Sequence, residues 1–266
     1  MGDGKALSLI EKLLLEPQIS KLSDLSYDSI PYVEANRKII ASKEILQFLY
    51  NGYCEPFVES SLECSKDAII LEIGSGHGYL KEKIPTLITS DYVKWPWVDR
   101  VIDAKKLPFS DNSLERIFLM FVFHHLEGIE SFLDEAYRCL KTGGEIIILD
   151  PAINFFSKQY YKVHPDNINL HQKKWSVFEN NNDSNIALAW TVFVRDREIF
   201  LEKYPLFEIE SIKYNTCITY LLSGGFRLRP LLPTKVLRII NQFENWIIKR
   251  ITNKIAVSMV VKVIKK

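Results

Sequence analysis

The chain has 266 residues, 47% of them apolar and 25% charged, and a formal net charge of +1. That length suits one large α/β domain, or a domain with a sizeable insertion, and the composition excludes a mainly disordered chain. The longest apolar runs, such as "RIFLMFVFHHL", fall well short of the roughly 20 residues that cross a bilayer.

The first stretch, "MGDGKALSLIEKLLLEPQ", mixes acids with its apolar residues and has no small-residue cleavage site, so no secretory signal and a cytoplasmic location are expected. Residues 1–66 read as an N-terminal helical segment. Both "ALSLIEKLLLE" and "ANRKIIASKEILQFLYNGY" repeat apolar residues every three or four positions. Cys54, Cys64, Cys139 and Cys217 are scattered without a CxxC pair and read as reduced structural thiols.

From residue 67 the period changes. "AIILEI" is a short, nearly continuous apolar run ending at glycines, as a buried parallel strand would. "TLITSD", "RVID", "RIFLMFVF" and "EIIILD" follow in the same style. The helix expected between the last two has Ile129, Phe132, Leu133, Ala136 and Leu140 on one stripe, and Gly143 suits its stop. Strands alternating with helices imply a doubly wound α/β sheet. Residues 152–203, rich in aromatics and Asn, read as an inserted, lid-like segment. Two strand-like runs, "FEIESIKYNTCITYLL" and "IAVSMVVKVI", close a domain expected over 67–266. A Gly-Gly turn and the helical "TKVLRIINQFENWIIKRI" lie between them.

The loop "LEIGSGHGYL" raises the question of its ligand. GxGxG is not the GxGxxG of a nicotinamide site, and the Lys-Ser/Thr pair of a phosphate loop is missing, with Tyr79 and Leu80 in its place. Ligands of an open α/β sheet bind at the carboxyl ends of its strands. Asp91 ends the second run, where a carboxylate can accept from both hydroxyls of a ribose. Asp103 ends the third, where it can accept from an exocyclic adenine amine beside Ala104, Leu107 and Phe109. Three successive strand ends of this kind point to an adenosine site.

These segments, with "VIDAKKLPFSDNSLERIFLMFVFHHL" and "EAYRCLKTGGEIIILDP", resemble the class I S-adenosylmethionine-dependent methyltransferases over about residues 66–151. The likeness is greatest to the branch that methylates small molecules, sugars and lipids. The resemblance implies a seven-stranded Rossmann-like sheet with its last strand antiparallel, and S-adenosyl-L-methionine as cofactor. It implies that Gly74, Ser75 and Gly76 approach the methionine part, with Glu72 beneath the loop. Asp91 with Tyr92 would hold the ribose, Asp103 with Ala104 the adenine, and Met120 and Phe121 would line the sulfonium side. His77 departs from the small or aliphatic residue usual there and is expected to face solvent. "SNIALAWTVFVRDREIF" and "YLLSGGFRLRPLLP" also resemble a bacterial subset associated with surface-polysaccharide assembly.

The expected activity is methyl transfer to an oxygen of a sugar, glycan precursor or other small molecule. A catalytically inactive cofactor-binding partner protein and methylation of a lipid at a membrane surface are the alternatives. A hydroxyl acceptor benefits from a general base, and His124, His125 and Asp150 stand at the ends of the fourth and fifth strands. Tyr160, Tyr161, His164 and Trp175, with His171 nearby, either line an acceptor pocket or form the small core of the insert. No histidine spacing supports a metal site.

Charge is uneven. From Arg227 to Lys266 ten Lys or Arg face one acid, Glu244, a net +9, which leaves −8 for the first 226 residues. In the closing helix Val236, Ile240, Phe243, Ile247 and Ile251 share a face opposite Lys235, Arg238 and Lys249. That face either packs on the sheet or touches an anionic membrane surface. Nucleic acid is not an expected partner.

Overall fold

The structure, a computed structural model, describes residues 14–20, 22, 25, 29–161, 168–175, 184–216 and 218–266. Seven strands form one sheet in the order β3-β2-β1-β4-β5-β7-β6. They are β1 (Ile70–Ile73), β2 (Ile88–Asp91), β3 (Arg100–Val101), β4 (Leu114–Met120), β5 (Leu140–Pro151), β6 (Phe207–Asn215) and β7 (Ser258–Lys265). β1 to β5 run parallel, and β7 is antiparallel to both β5 and β6. This is the sheet the sequence leads one to expect. β1 is buried at every position because it is central and covered on both faces. The strand order reverses between β1 and β4, which opens a crevice at their carboxyl ends.

By contacts the described chain divides into two compact units. One comprises the residues up to Gly52 with Ile218–Glu244, the other Tyr53–Cys217 with Asn245–Lys266. This division falls inside the helix α2 (Glu44–Leu62), which follows α1 (Ile30–Ser42) after an extended Lys43. In the first unit Leu15 bridges Leu228, and the buried ammonium of Lys43 pairs with Glu16 and donates to the carbonyls of Gly225 and Leu228. The helix expected over residues 6–16 lies mostly outside the described residues.

In the sheet unit, α3 (Ile129–Cys139) buries Ile129, Phe132, Leu133 and Ala136 completely, as its spacing predicts. It stops at Cys139, so Gly143 does not end it. Gly143 takes a φ of +78° within β5, between the pairs Leu114–Leu140 and Arg116–Glu145, where the register shifts. The run expected as a strand to Leu222 ends at Asn215, and Thr219–Leu222 is a helical turn.

The insert is the larger correction. After α4 (Phe155–Tyr160), residues Leu188–Trp190, a π turn at Thr191–Arg195 and α5 (Arg197–Lys203) lead into β6. Leu188, Ala189, Val192, Phe193 and Phe200 are fully buried in the main core with Leu119, Phe123 and Ile148. They form the crossover between β5 and β6, and their apolar spacing could not be separated from that of a lid without knowing what they cover. Among the described residues no helix is long and apolar enough to cross a membrane.

Phe193→Ala tests this packing. Removal of a fully buried ring lowers unfolding stability by about 3–5 kcal/mol in denaturant titrations. A loss below about 1 kcal/mol would mean that the segment does not share the core.

Candidate active site

The glycine loop leaves β1 with Gly74 at φ +66° and Gly76 at φ +45°, a region of backbone conformation that a side chain resists. A Cβ on Gly74 would stand 2.2 Å from a methyl of Val122, so this glycine allows β1 and the end of β4 to close together. At Gly76 the space a Cβ would enter is open, with no other atom nearer than 3.9 Å. The first glycine thus serves packing, and the second leaves the space beside its Cα open.

Asp91 ties the loop to the end of β2. Its Oδ2 accepts the Gly76 N–H at 3.0 Å and its Oδ1 the Val93 N–H at 3.1 Å. A carboxylate has about four acceptor positions, so capacity remains for ligand hydroxyls. Beneath, Ser75 and Ser90 exchange bonds, Ser75 N–H to the Ser90 carbonyl and Ser90 N–H to Ser75 Oγ. The Ser90 hydroxyl donates to the Glu72 carbonyl. The Trp97 indole donates to the Gly76 carbonyl at 2.6 Å and its ring stacks on Trp95.

Glu72 is 1% exposed and its Oε2 has no hydrogen-bond partner. Burial pushes its carboxyl up to about 8; a bond from Ser75 opposes this, and the charge of Asp91 adds to it. The carboxyl therefore carries a proton at neutral pH until a cation approaches.

The other expected contacts are dispersed around the crevice. Asp103 lies two residues beyond β3, exposed, its Oδ1 accepting the Lys105 N–H, while Ala104 is buried. Tyr92 is exposed. Met120 ends β4, and Phe121 follows with φ +58°, its ring edge-on to Tyr53. A non-glycine residue holds such a φ only where its surroundings impose it, and here the Phe121 N–H is bonded to the Leu149 carbonyl.

The chain then turns through a short 3-10 helix, Phe123–His125. His124 is buried and its Nδ1 lies 2.8 Å from Oδ1 of the fully buried Asp150. The His124 carbonyl accepts the Asn185 N–H. His125 is exposed, its ring 4.1 Å from that of His124. The structure therefore joins His124 to Asp150 and leaves His125 at the surface. Tyr160 and Tyr161 pack with Ile153, Ile186 and Val257 in a small core. Trp175 belongs to the main core and donates to Asp196. His171 is exposed, and His164 lies outside the described residues. Among the described residues no group of three or more His, Cys, Asp or Glu is arranged to hold a metal.

Tyr53, Trp97, Val122 and Asn185 were not legible as site residues. The "WPW" beside Asp91 was the available signal for Trp97; the other three act through tertiary contact alone.

Residues 71–148 match the family described as Methyltransferase domain. Over these residues the chain carries a methyltransferase domain. A ubiquinone/menaquinone biosynthesis C-methyltransferase of Psychromonas ingrahamii is 24% identical over 125 residues, 46% of this chain and 47% of that protein. The corresponding protein of Desulfotalea psychrophila is 41% identical over 58 residues, 21% and 24% of the two chains. This chain thus matches less than half the length of these curated relatives. A methyltransferase structure from Archaeoglobus fulgidus has the same fold, with TM-score 0.52 and 16% identity, covering 82% of this chain and 93% of that one.

The residues of the methyltransferase domain fit its cofactor. The space beside the Gly76 Cα is open, Asp91 keeps acceptor capacity, and the unpartnered oxygen of Glu72 suits a cationic amino group.

Two measurements check this site. Asp91→Ala and Gly76→Val each abolish S-adenosylmethionine binding in calorimetry while circular dichroism stays native; unchanged affinity in both folded variants refutes the assignment. Glu72→Gln changes the pH profile of stability. Between pH 4.5 and about 8 the unfolded chain releases a proton that folded Glu72 retains, so wild-type stability falls as pH rises. Thermal unfolding of the variant should match wild type near pH 4.5 and exceed it by several degrees at pH 8. Parallel curves would contradict the raised carboxyl.

Proposed function

We propose that this chain transfers a methyl group to a hydroxyl oxygen of a small molecule, of the sugar or glycan-precursor kind, with His124 as general base. The observation that carries the reading is the buried His124–Asp150 pair at the carboxyl ends of β4 and β5. S-adenosylmethionine supplies an activated methyl, so the protein's tasks are to align the acceptor, exclude water and take up a proton. With Nδ1 of His124 donating to Asp150, the lone pair resides on Nε2, which can take the hydroxyl proton. The carboxylate then stabilises the imidazolium. Gly74 to Gly76 and Asp91 bind the cofactor side, and Glu72 exchanges its proton for the charge of a bound ammonium.

A second reading is methylation at carbon. It is supported by the curated relatives, which are named as C-methyltransferases of ubiquinone and menaquinone biosynthesis. A carbon acceptor activated by an adjacent acidic hydroxyl would use the same base. The two readings are separated with methyl-carbon-13 cofactor and fractionated cell extract. NMR of the labelled product distinguishes an O-methyl from a C-methyl group.

With the labelled acceptor in hand, His124→Ala and Asp150→Asn each lower turnover at saturating cofactor by about 100-fold or more, and calorimetric cofactor affinity is retained. His125→Ala stays within about threefold of wild type, below what a general base contributes. Turnover within tenfold of wild type in both His124→Ala and Asp150→Asn would remove the base from the mechanism.

A further inference from the structure

The helix α6 (Thr234–Arg250) has one buried sector and, beside it, an exposed apolar one. Leu237, Asn241, Glu244 and Ile248, spaced by four, three and four, form its buried face. The face that the sequence left either to pack on the sheet or to touch a membrane, centred on Val236 and Phe243, is a different one. Val236, Ile239 and Phe243 are 40%, 65% and 61% exposed, and Leu231 and Leu232, just before the helix, are 52% and 37% exposed. One helix thus presents an apolar face to the surroundings beside its buried one, extended by the loop that enters it.

Charge indicates what that face meets. Within Ile218–Glu244 the one acid, Glu244, is 5% exposed, and its carboxylate accepts the N–H groups of Ile218 and Thr219 and the Asn241 amide. Its negative charge is spent on the start of a helical turn. Arg227, Arg229 and Lys235 are exposed, whereas Arg238 pairs with Glu44. Every fully exposed ionisable side chain of this segment is therefore a cation beside an aliphatic and aromatic surface. Two copies meeting through this face would bring like charges together, and a polyanion without an apolar phase would leave Ile239 and Phe243 in water.

We propose that this face is a docking surface for an anionic lipid bilayer. Leu231, Leu232, Val236, Ile239 and Phe243 enter the boundary between headgroups and acyl chains, and Arg227, Arg229 and Lys235 meet lipid phosphates. The helix lies in the plane of the interface and does not cross it. Apolar burial supplies most of the attraction, and each basic side chain near the surface strengthens it about fivefold, the equivalent of about 1 kcal/mol. The inference does not depend on the atom that is methylated.

Flotation of the full chain tests it, using vesicles of equimolar phosphatidylglycerol and phosphatidylcholine against phosphatidylcholine alone. The protein floats with the anionic vesicles, and raising salt weakens the association. Ile239→Glu with Phe243→Glu abolishes flotation, and Lys235→Ala weakens it about fivefold, both with native circular dichroism and unchanged cofactor affinity. If the double variant fails to fold, Arg227→Ala with Arg229→Ala, in exposed loop positions, must weaken flotation about 25-fold. Absence of flotation at low salt overturns the inference, as does equal binding to neutral vesicles. A concentration-dependent dimer in light scattering, lost in Ile239→Glu and unaffected by vesicles, also overturns it, because a second copy would then cover the face.

Discussion

Two short hydrogen-bonded links hold the crevice in shape: Asp91 accepting the Gly76 N–H, and Trp97 donating to the Gly76 carbonyl. Both backbone groups of a glycine at positive φ are thereby fixed from outside the loop. Without them the loop after β1 would have no reason to hold one conformation, since glycine gives up more backbone freedom on ordering than any other residue. The Ser75–Ser90 exchange and the Gly74–Val122 contact extend the same clamp to β2 and β4. Site and sheet are thus built from one set of contacts, and Asp91 acts in both.

Buried charge is handled in different ways around this sheet. Arg116, Glu145, Lys262 and Glu210 form a charge-compensated group across β4, β5, β7 and β6, joined at Arg116 and Glu145 by the Ser60 hydroxyl. Its partners are complete, which suits a structural cross-tie. At Glu72 the charge of Lys81 does not offset burial, one carboxyl oxygen accepts no bond, and the group keeps a proton instead. A carboxyl left in that condition under a glycine loop stores a response to a cationic ligand, whereas Arg116 and Glu145 have none to give. His124 and Asp150 are a third case, a buried imidazole and carboxyl within hydrogen-bond distance of each other.

Much of the cofactor side was legible. β1 is an apolar run broken only by Glu72 and ends just before Gly74, and β2 ends on Asp91; a strand's end is where an α/β sheet presents ligand-binding groups. Asp91 became a candidate only together with the glycine loop and Asp103, at three successive strand ends. Asp103 was placed one strand end further, although it stands in the loop beyond β3 and caps a turn through Lys105. The insert was misread because Leu188, Val192, Phe193 and Phe200 have a helical spacing that suits a lid as well as a core. Burial decides between them, and burial depends on β4, β5 and β7 arriving from distant parts of the chain.

By itself the sequence determined the strand–helix alternation, the glycine loop and the acids that close the second and third apolar runs, because these follow from local period and from chain order. Only the tertiary structure decided which of two adjacent histidines meets Asp150, and which of two adjoining faces of α6 is covered. Neighbours in sequence such as His124 and His125 share every local preference, and adjoining sectors of one helix share the same period. What separates them is a partner 26 residues away in the first case and the packing of the Leu237–Ile248 face in the second. Such contacts are fixed by the assembled fold and leave no mark in the local spacing.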